Sequence, residues 1–206
     1  MKIFLCLFLS LAANATTIFI GSNAFDTNNS GHATVDLSGA LHPNPRWAPA
    51  LPDSVWISYG ATGDHDDPGY FSPPDGTDVT FTTTFTLTGA ITGASLRVMA
   101  DDTSSVILNG HTLLSANLTH GPACAKGAIG CLLSTEGIFT LAALTPYLVD
   151  GPNTISFGVV QVHGSSYGLD FAGSVTTSQT PEPATLALLA AGFLILAAVR
   201  PPKLVI

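Results

Sequence analysis

The stretch ADDTSSVILNG sets two adjacent carboxylates, Asp101 and Asp102, a short apolar run away from the Asn109-Gly110 pair. Neighbouring carboxylates with an amide close by offer oxygen ligands to a hard cation such as Ca²⁺, or hydrogen-bond partners to sugar hydroxyls. The same Asp-Asp-Thr-Ser also makes a hairpin turn that needs no ligand. A second acidic stretch, GDHDDPGY, concentrates Asp64, His65, Asp66 and Asp67. Oxygen donors at this density suit calcium, with Asp64, Asp66 and Asp67 as ligands, although the spacing is not that of an EF-hand and the late bidentate Glu is missing. A solvated acidic loop is the plain alternative. Among the aromatics, Trp47, Tyr70 and Phe71 stand between prolines and glycines, so exposure and stacking on sugar rings are expected of them. Trp56, inside the apolar VWIS, is expected in the core. The ligand-binding group this reading assembles is Asp101, Asp102, Asn109, Trp47 and Tyr70, with Ca²⁺ as the one candidate cofactor.

Nucleophilic catalysis finds little support. GSSYG (164–168) matches G-x-S-x-G formally and puts Ser166 in the nucleophile position, but that elbow needs a strand before it and a helix after it. The next residues in the chain, LDFAGSV, have a strand pattern instead. The six histidines are scattered, none at a spacing such as H-E-x-x-H. No pair among the fourteen acids identifies itself as the facing carboxylates of a glycosidase. The expectation is therefore a protein that is not an enzyme, with a surface polysaccharide hydrolase as the alternative.

These residues are carried by strands. DVTFTTTFTLTG alternates strictly, with Val79, Phe81, Thr83, Phe85 and Leu87 on one face and threonines on the other. VWISYG, ASLRVMA, SVILNG, EGIFTLAAL, NTISFGVVQV and YGLDFAGSVTT read as further strands, separated by Gly, Pro, Asn and Asp. The region from Pro43 to Pro74 predicts long loops. Short strands, frequent turns and no amphipathic helix indicate an all-β, antiparallel β-sandwich over residues 16–177.

Both ends carry a different kind of signal. MKIFLCLFLSLAANA has a positive Lys2, an apolar run too short to span a bilayer and a small-x-small site, which predicts a signal peptide over 1–15 with cleavage after Ala15. Export leaves Cys124 and Cys131 as the two cysteines, and an even pair in an oxidising compartment favours a disulfide over a metal pair. The body between 16 and 183 holds all fourteen acids against three basic residues, Arg46, Arg97 and Lys126. That balance disfavours nucleic acid as a partner. After a polar linker (178–183), residues 184–199 contain no charge and are followed by Arg200 and Lys203. As a helix they rise about 24 Å, enough for a short transmembrane helix, with 200–206 as a basic cytoplasmic tail.

The C-terminal TPEPATLALLAAGFLILAAVR resembles the PEP-CTERM sorting signal: Pro181-Glu182-Pro183, an apolar span and a basic end, here RPPK rather than an arginine cluster. The resemblance implies an exported protein of a Gram-negative bacterium. Its expected partners are the Sec translocon, signal peptidase, the inner membrane and an exosortase that recognises Pro181, Glu182 and Pro183. The destination it implies is the cell surface or an exopolysaccharide matrix. The order of WIS, TTTFTLTG, SLRVMADDTSSVILNG, FTLAAL, GPNTISFGVV and GLDFAGSV is similar to a galactose-binding-like jelly roll common in such proteins, which implies carbohydrate binding. A purely structural matrix component is the other non-enzymatic reading.

Overall fold

The computed structural model describes residues 14–24, 27–29, 33–118, 129–179 and 189–193. In chain order the elements are β1 (Asn14–Gly21), β2 (Asn28–Asn29), β3 (Val35–Asp36), β4 (Ile57–Ser58), β5 (Asp78–Leu87), β6 (Ala90–Asp101), β7 (Thr103–Leu108), β8 (His111–Leu114), β9 (Gly137–Thr140), α1 (Leu141–Leu144), β10 (Gly151–Val160) and β11 (Gly168–Gln179). They form two antiparallel sheets. One has the order β3-β4-β11-β6-β9, with β1 also paired to β11; the other has the order β2-β5-β10-β7-β8.

Alternation builds the interface between the sheets. Val79, Phe81, Thr83 and Leu87 of β5 are buried, while Thr84 and Thr86 on the opposite face are exposed. Phe81 lies opposite Phe157 of β10, and Phe157 stacks across the sandwich on Phe171 of β11, with ring centroids 4.4 Å apart and planes at 27°. Phe171 is in turn the register partner of Val98 on β6. Aromatic and β-branched pairs of this kind are what hold neighbouring strands in one register.

Several expectations need amendment. EGIFTLAAL is not one strand: pairing with β6 stops at Thr140, and Leu-Ala-Ala-Leu, good helix formers without β-branching, turn into α1. Asp101-Asp102-Thr103 is not a hairpin, because β6 and β7 belong to different sheets; Asp102 is the corner where the chain crosses from one to the other. The Asn-Gly turn does occur, between β7 and β8, with Asn109 at φ 50° and Gly110 at φ 80°, the positive angles that a tight hairpin demands. β1 runs from Asn14 through Ala15, and β11 extends to Gln179, two residues into the expected linker.

A second apolar cluster covers the outer face of the β6 sheet. Trp47, Leu51 and Trp56 from the loops before and around β4 pack with Leu37, Met99 and Cys131. Trp47 lies so close over Gly168 that a Cβ there would meet its ring at 2.7 Å. The C-terminal end of β6 is consequently buried on both faces. No helix of the described residues is long and apolar enough to cross a membrane; of the expected span 184–199, only 189–193 is described, and it is helical.

Removing the Phe157 ring leaves its partners Phe81 and Phe171 facing a void. Phe157→Ala is expected to cost about 3–5 kcal/mol in urea unfolding at an unchanged slope; a loss under about 1 kcal/mol would contradict the packing described.

Candidate functional site

The corner between β6 and β7 buries both carboxylates: Asp101 is 4% and Asp102 1% exposed. The chain path sets them there: β6 ends in one sheet and β7 begins in the other, with a single residue between them. Each carboxylate has one oxygen held by N–H donors. The Trp47 indole N–H donates to Asp101 Oδ2 at 2.8 Å. The backbone N–H groups of Val162 and His163 donate to Asp102 Oδ2 at 2.8 and 3.1 Å. The other oxygens, Asp101 Oδ1 and Asp102 Oδ1, are buried and receive no donor from the other described residues, which leaves the two carboxyl groups facing each other.

Gln161 is in the same condition. It comes directly after Val160, the register partner of Thr103, which sets it opposite Asp102. Its backbone is tied down, with its N–H donating to Thr77 O and its carbonyl accepting from Gly76. Its side chain is 1% exposed, and neither its oxygen nor its nitrogen has a partner. Burial first, then a side-chain hydrogen bond with Asp102 and the charge of that carboxylate, push Asp101 well above the usual carboxylate range, against the smaller opposing effect of the Trp47 hydrogen bond.

Asp170 shows the contrasting case. It is fully buried in β11, yet accepts from the Leu51 N–H at 2.7 Å, the Ser54 hydroxyl at 2.6 Å and the Ser22 hydroxyl at 2.9 Å. Burial raises its pKa, and these donors oppose the rise. It is a staple between β11 and the loop at 51–54, with no oxygen left to offer a ligand.

The other expected site residues are distributed differently. Trp47, expected at the surface, is 8% exposed and stacks on Trp56 with centroids 4.4 Å apart; its apolar body closes the outer cluster while its N–H serves Asp101. Asn109 lies at the far end of β7 from Asp102, where it bonds Tyr147 O, Asn153 Oδ1 and the Thr154 N–H. The intervening strand keeps it out of the corner. Tyr70 is half-buried and Phe71 is 41% exposed. Asp64 and Asp66 come together with His65 at the surface, and Asp64 Oδ1 accepts the Asp66 N–H. Asp67 turns away from them, accepting the His42 N–H at 2.6 Å and pairing with His42 Nδ1 at 2.6 Å.

Ser166 is 3% exposed, accepts from Asn44 Nδ2 and donates to Gly63 O; a strand comes after it, so no nucleophile elbow forms. Cys131 is buried and disulfide-bonded, while Cys124, its expected partner, lies outside the described residues, as do Pro181, Glu182 and Pro183. Ala15 pairs with Ser178. Sequence reasoning misses Gln161 altogether: in GVVQVHG it is one polar interruption of an apolar run, and only the register with β7 shows what it faces. A cleft of about 260 Å³ between β1 and β5, lined by Phe19, Ile20, Asn23, Asp53, Thr83 and Phe85 among others, contains none of the expected site residues.

Beyond Thr177, residues 179–200 match the model of the PEP-CTERM protein-sorting motif. The chain carries a PEP-CTERM sorting signal. The signal therefore begins on the last residue of β11. No curated protein matches the chain. Among solved structures, the body is similar to a native family 35 carbohydrate-binding module from Clostridium thermocellum, at 10% identity over 76% of this chain and 97% of that one, with a TM-score of 0.40. It is also similar to the CBM36-1 domain of a multidomain xylanase from the hindgut metagenome of Trinervitermes trinervoides, at 11% identity over 82% of this chain and 100% of that one, with a TM-score of 0.34. A third is a CBM36 module in complex with calcium and xylotriose, at 10% identity over 80% and 99%, with a TM-score of 0.32. At these scores the likenesses carry no argument about a ligand.

The His42–Asp67 pair gives a pH prediction. The hydrogen bond from His42 lowers Asp67 below 3.8, and the hydrogen bond to Asp67 raises His42 above 6.5. The pair's contribution is lost as pH rises through the raised His42 value or falls through the lowered Asp67 value. His42 is mostly exposed, so the stability effect is small. The clear readout is the NMR titration of the His42 ring, expected above 6.5 in the native chain and lower in Asp67→Asn. Identical titrations in the two proteins would contradict the pairing.

Proposed function

We propose that the chain is the precursor of an exported, non-catalytic surface protein of a Gram-negative bacterium. In this reading an exosortase acts at Pro181-Glu182-Pro183, and the jelly-roll, galactose-binding-like body binds carbohydrate at the cell surface or in the exopolysaccharide matrix. One observation carries the reading. The sorting motif starts at Gln179, and Gln179 is the register partner of Asn14, one residue from the expected signal-peptidase site at Ala15. The two strand ends that lead toward the expected processing sites are therefore neighbours at one end of the sandwich. The Sec translocon and signal peptidase act on one handle. Residues 184–199 rest in the inner membrane on the other, with Arg200 and Lys203 on the cytoplasmic side.

The opposite end faces outward in this arrangement. Gly168 pairs with Asp101, and the twelve residues of β11 at ~3.3 Å each separate that corner from Gln179 by roughly 35–40 Å. The aromatic candidates Tyr70 and Phe71 stand on a loop joined to this end by the Ser72–Ser165 hydrogen bond, where a ring face can stack on a sugar. A disulfide at Cys131, for which Cys124 is the expected partner, suits an oxidising exterior.

Replacing Pro181-Glu182-Pro183 by alanines tests the sorting half. Full-length protein is expected to accumulate in the inner-membrane fraction, and the surface form, cleaved at both ends in mass spectrometry, to disappear. Unchanged surface delivery with residues 186–206 still attached would remove the reading. A glycan array probed with the mature surface protein tests the binding half: binding without turnover is expected, and the Tyr70→Ala/Phe71→Ala pair should weaken it by about tenfold, a change of about 1.4 kcal/mol.

A further inference from the structure

We propose that Asp101, Asp102 and Gln161 form a divalent-cation site of the Ca²⁺ class, built into the corner where the chain passes between the sheets. The argument starts from pairing. Buried polar side chains find partners in native proteins, and exceptions need a cause. Three consecutive stations around this corner break the rule together: Asp101 Oδ1, Asp102 Oδ1 and both polar atoms of Gln161. They are not loose. Trp47 fixes the second oxygen of Asp101, and two backbone N–H groups fix that of Asp102. Gln161 is anchored through its own backbone to the Gly76–Thr77 segment. Donors that pin one oxygen of each carboxylate and leave the other bare are the outer-shell arrangement that orients metal ligands.

The chemistry of the donor set names the class of ion. Two carboxylate oxygens and an amide oxygen, with no thiolate and no imidazole among them, select a hard cation and disfavour zinc or copper. Ca²⁺ takes 6–8 oxygens, so backbone carbonyls or water complete the shell. No ion pair among the described residues neutralises either carboxylate; a cation between them would do so, and would give a partner to the buried Gln161 amide, which strand register sets opposite Asp102. The exposed Asp64–His65–Asp66 cluster has no such buried, unpartnered group and carries no proposal.

The site stands whether or not the body binds sugar or is sorted, so its test uses neither property. The full chain, purified in detergent micelles and stripped with chelator, is titrated with CaCl₂ by calorimetry and melted with and without the ion. One equivalent is expected to bind, and the melting temperature to rise by about 5–10 °C at a hundredfold excess over Kd. Gln161→Met and Asp102→Asn are each expected to weaken binding at least tenfold, while the double variant Asp64→Asn/Asp66→Asn leaves it unchanged. No heat and no melting shift in the unsubstituted chain would overturn the proposal, a result that does not depend on any variant folding. Binding that survives Gln161→Met and Asp102→Asn, or that is lost in Asp64→Asn/Asp66→Asn, would overturn it as well.

Discussion

The antiparallel pairing of β6 with β11 is the constraint on which the rest of the molecule depends. It runs from Gly168–Asp101 at one end to Ser178–Ala90 at the other, with one register shift near Thr176. β11 also binds β1 along its C-terminal half and β4 near its start. A strand paired on both edges cannot slip by one residue without turning Phe171 and Val175 out of the core and Asp170 into it. That alternation explains why Asp170 faces the loop at 51–54 and Phe171 faces Phe157. Once β11 is fixed, so are the positions of the Trp47 loop, the Asp101 corner and the chain's exit at Gln179.

The same strand pair shows two ways of burying a carboxylate. Asp170 is surrounded by donors that the fold itself supplies, so its burial ties a loop to a strand. At the corner the fold supplies donors for only half of each carboxylate. An unsatisfied buried polar group costs about 1–3 kcal/mol, and more when charged. Three such groups in one place amount to a large fraction of the roughly 5–15 kcal/mol by which a domain is stable. A sequence that needed only a crossing between sheets could use small apolar residues here. The presence of Asp, Asp and Gln is therefore better explained by something they hold than by the crossing itself.

How far the sequence is legible depends on whether a feature is local. The alternation of β5 is a period-two pattern visible in ten residues, and the Asn109-Gly110 hairpin is a dipeptide with its own backbone preference; both are as expected. The sorting motif is equally local, and the family match covers the residues that suggest it. The corner is different. Asp-Asp-Thr-Ser looks like a solvated turn because its composition is that of a turn, and nothing nearby reveals that its two flanking strands join different sheets. Trp47 looks exposed for the same reason: its neighbours are prolines, yet its ring is placed by contacts with Trp56 and Gly168, more distant in the chain. Gln161 is invisible in the sequence because its meaning lies in its register with Thr103 and Asp102, which is a property of pairing. Asp67 reads as one of a run with its sequence neighbours, but the group that captures it is His42, in a separate loop.

This division between local and long-range information coincides with a division of the molecule. The end where Asn14 meets Gln179 leads into a linear signal, the sorting motif that begins at residue 179. Prolines at 181 and 183 suit that, since neither continues a helix or donates to a ladder. The end where Asp101 meets Gly168 is defined by folding. It collects the long loops, the outer tryptophan cluster and the half-satisfied carboxylates. Loops concentrate where binding occurs, because they vary without disturbing the sheets that hold them. The length of β11 separates these two ends. The strands that bury the core thus also set how far the corner stands from the start of the sorting motif.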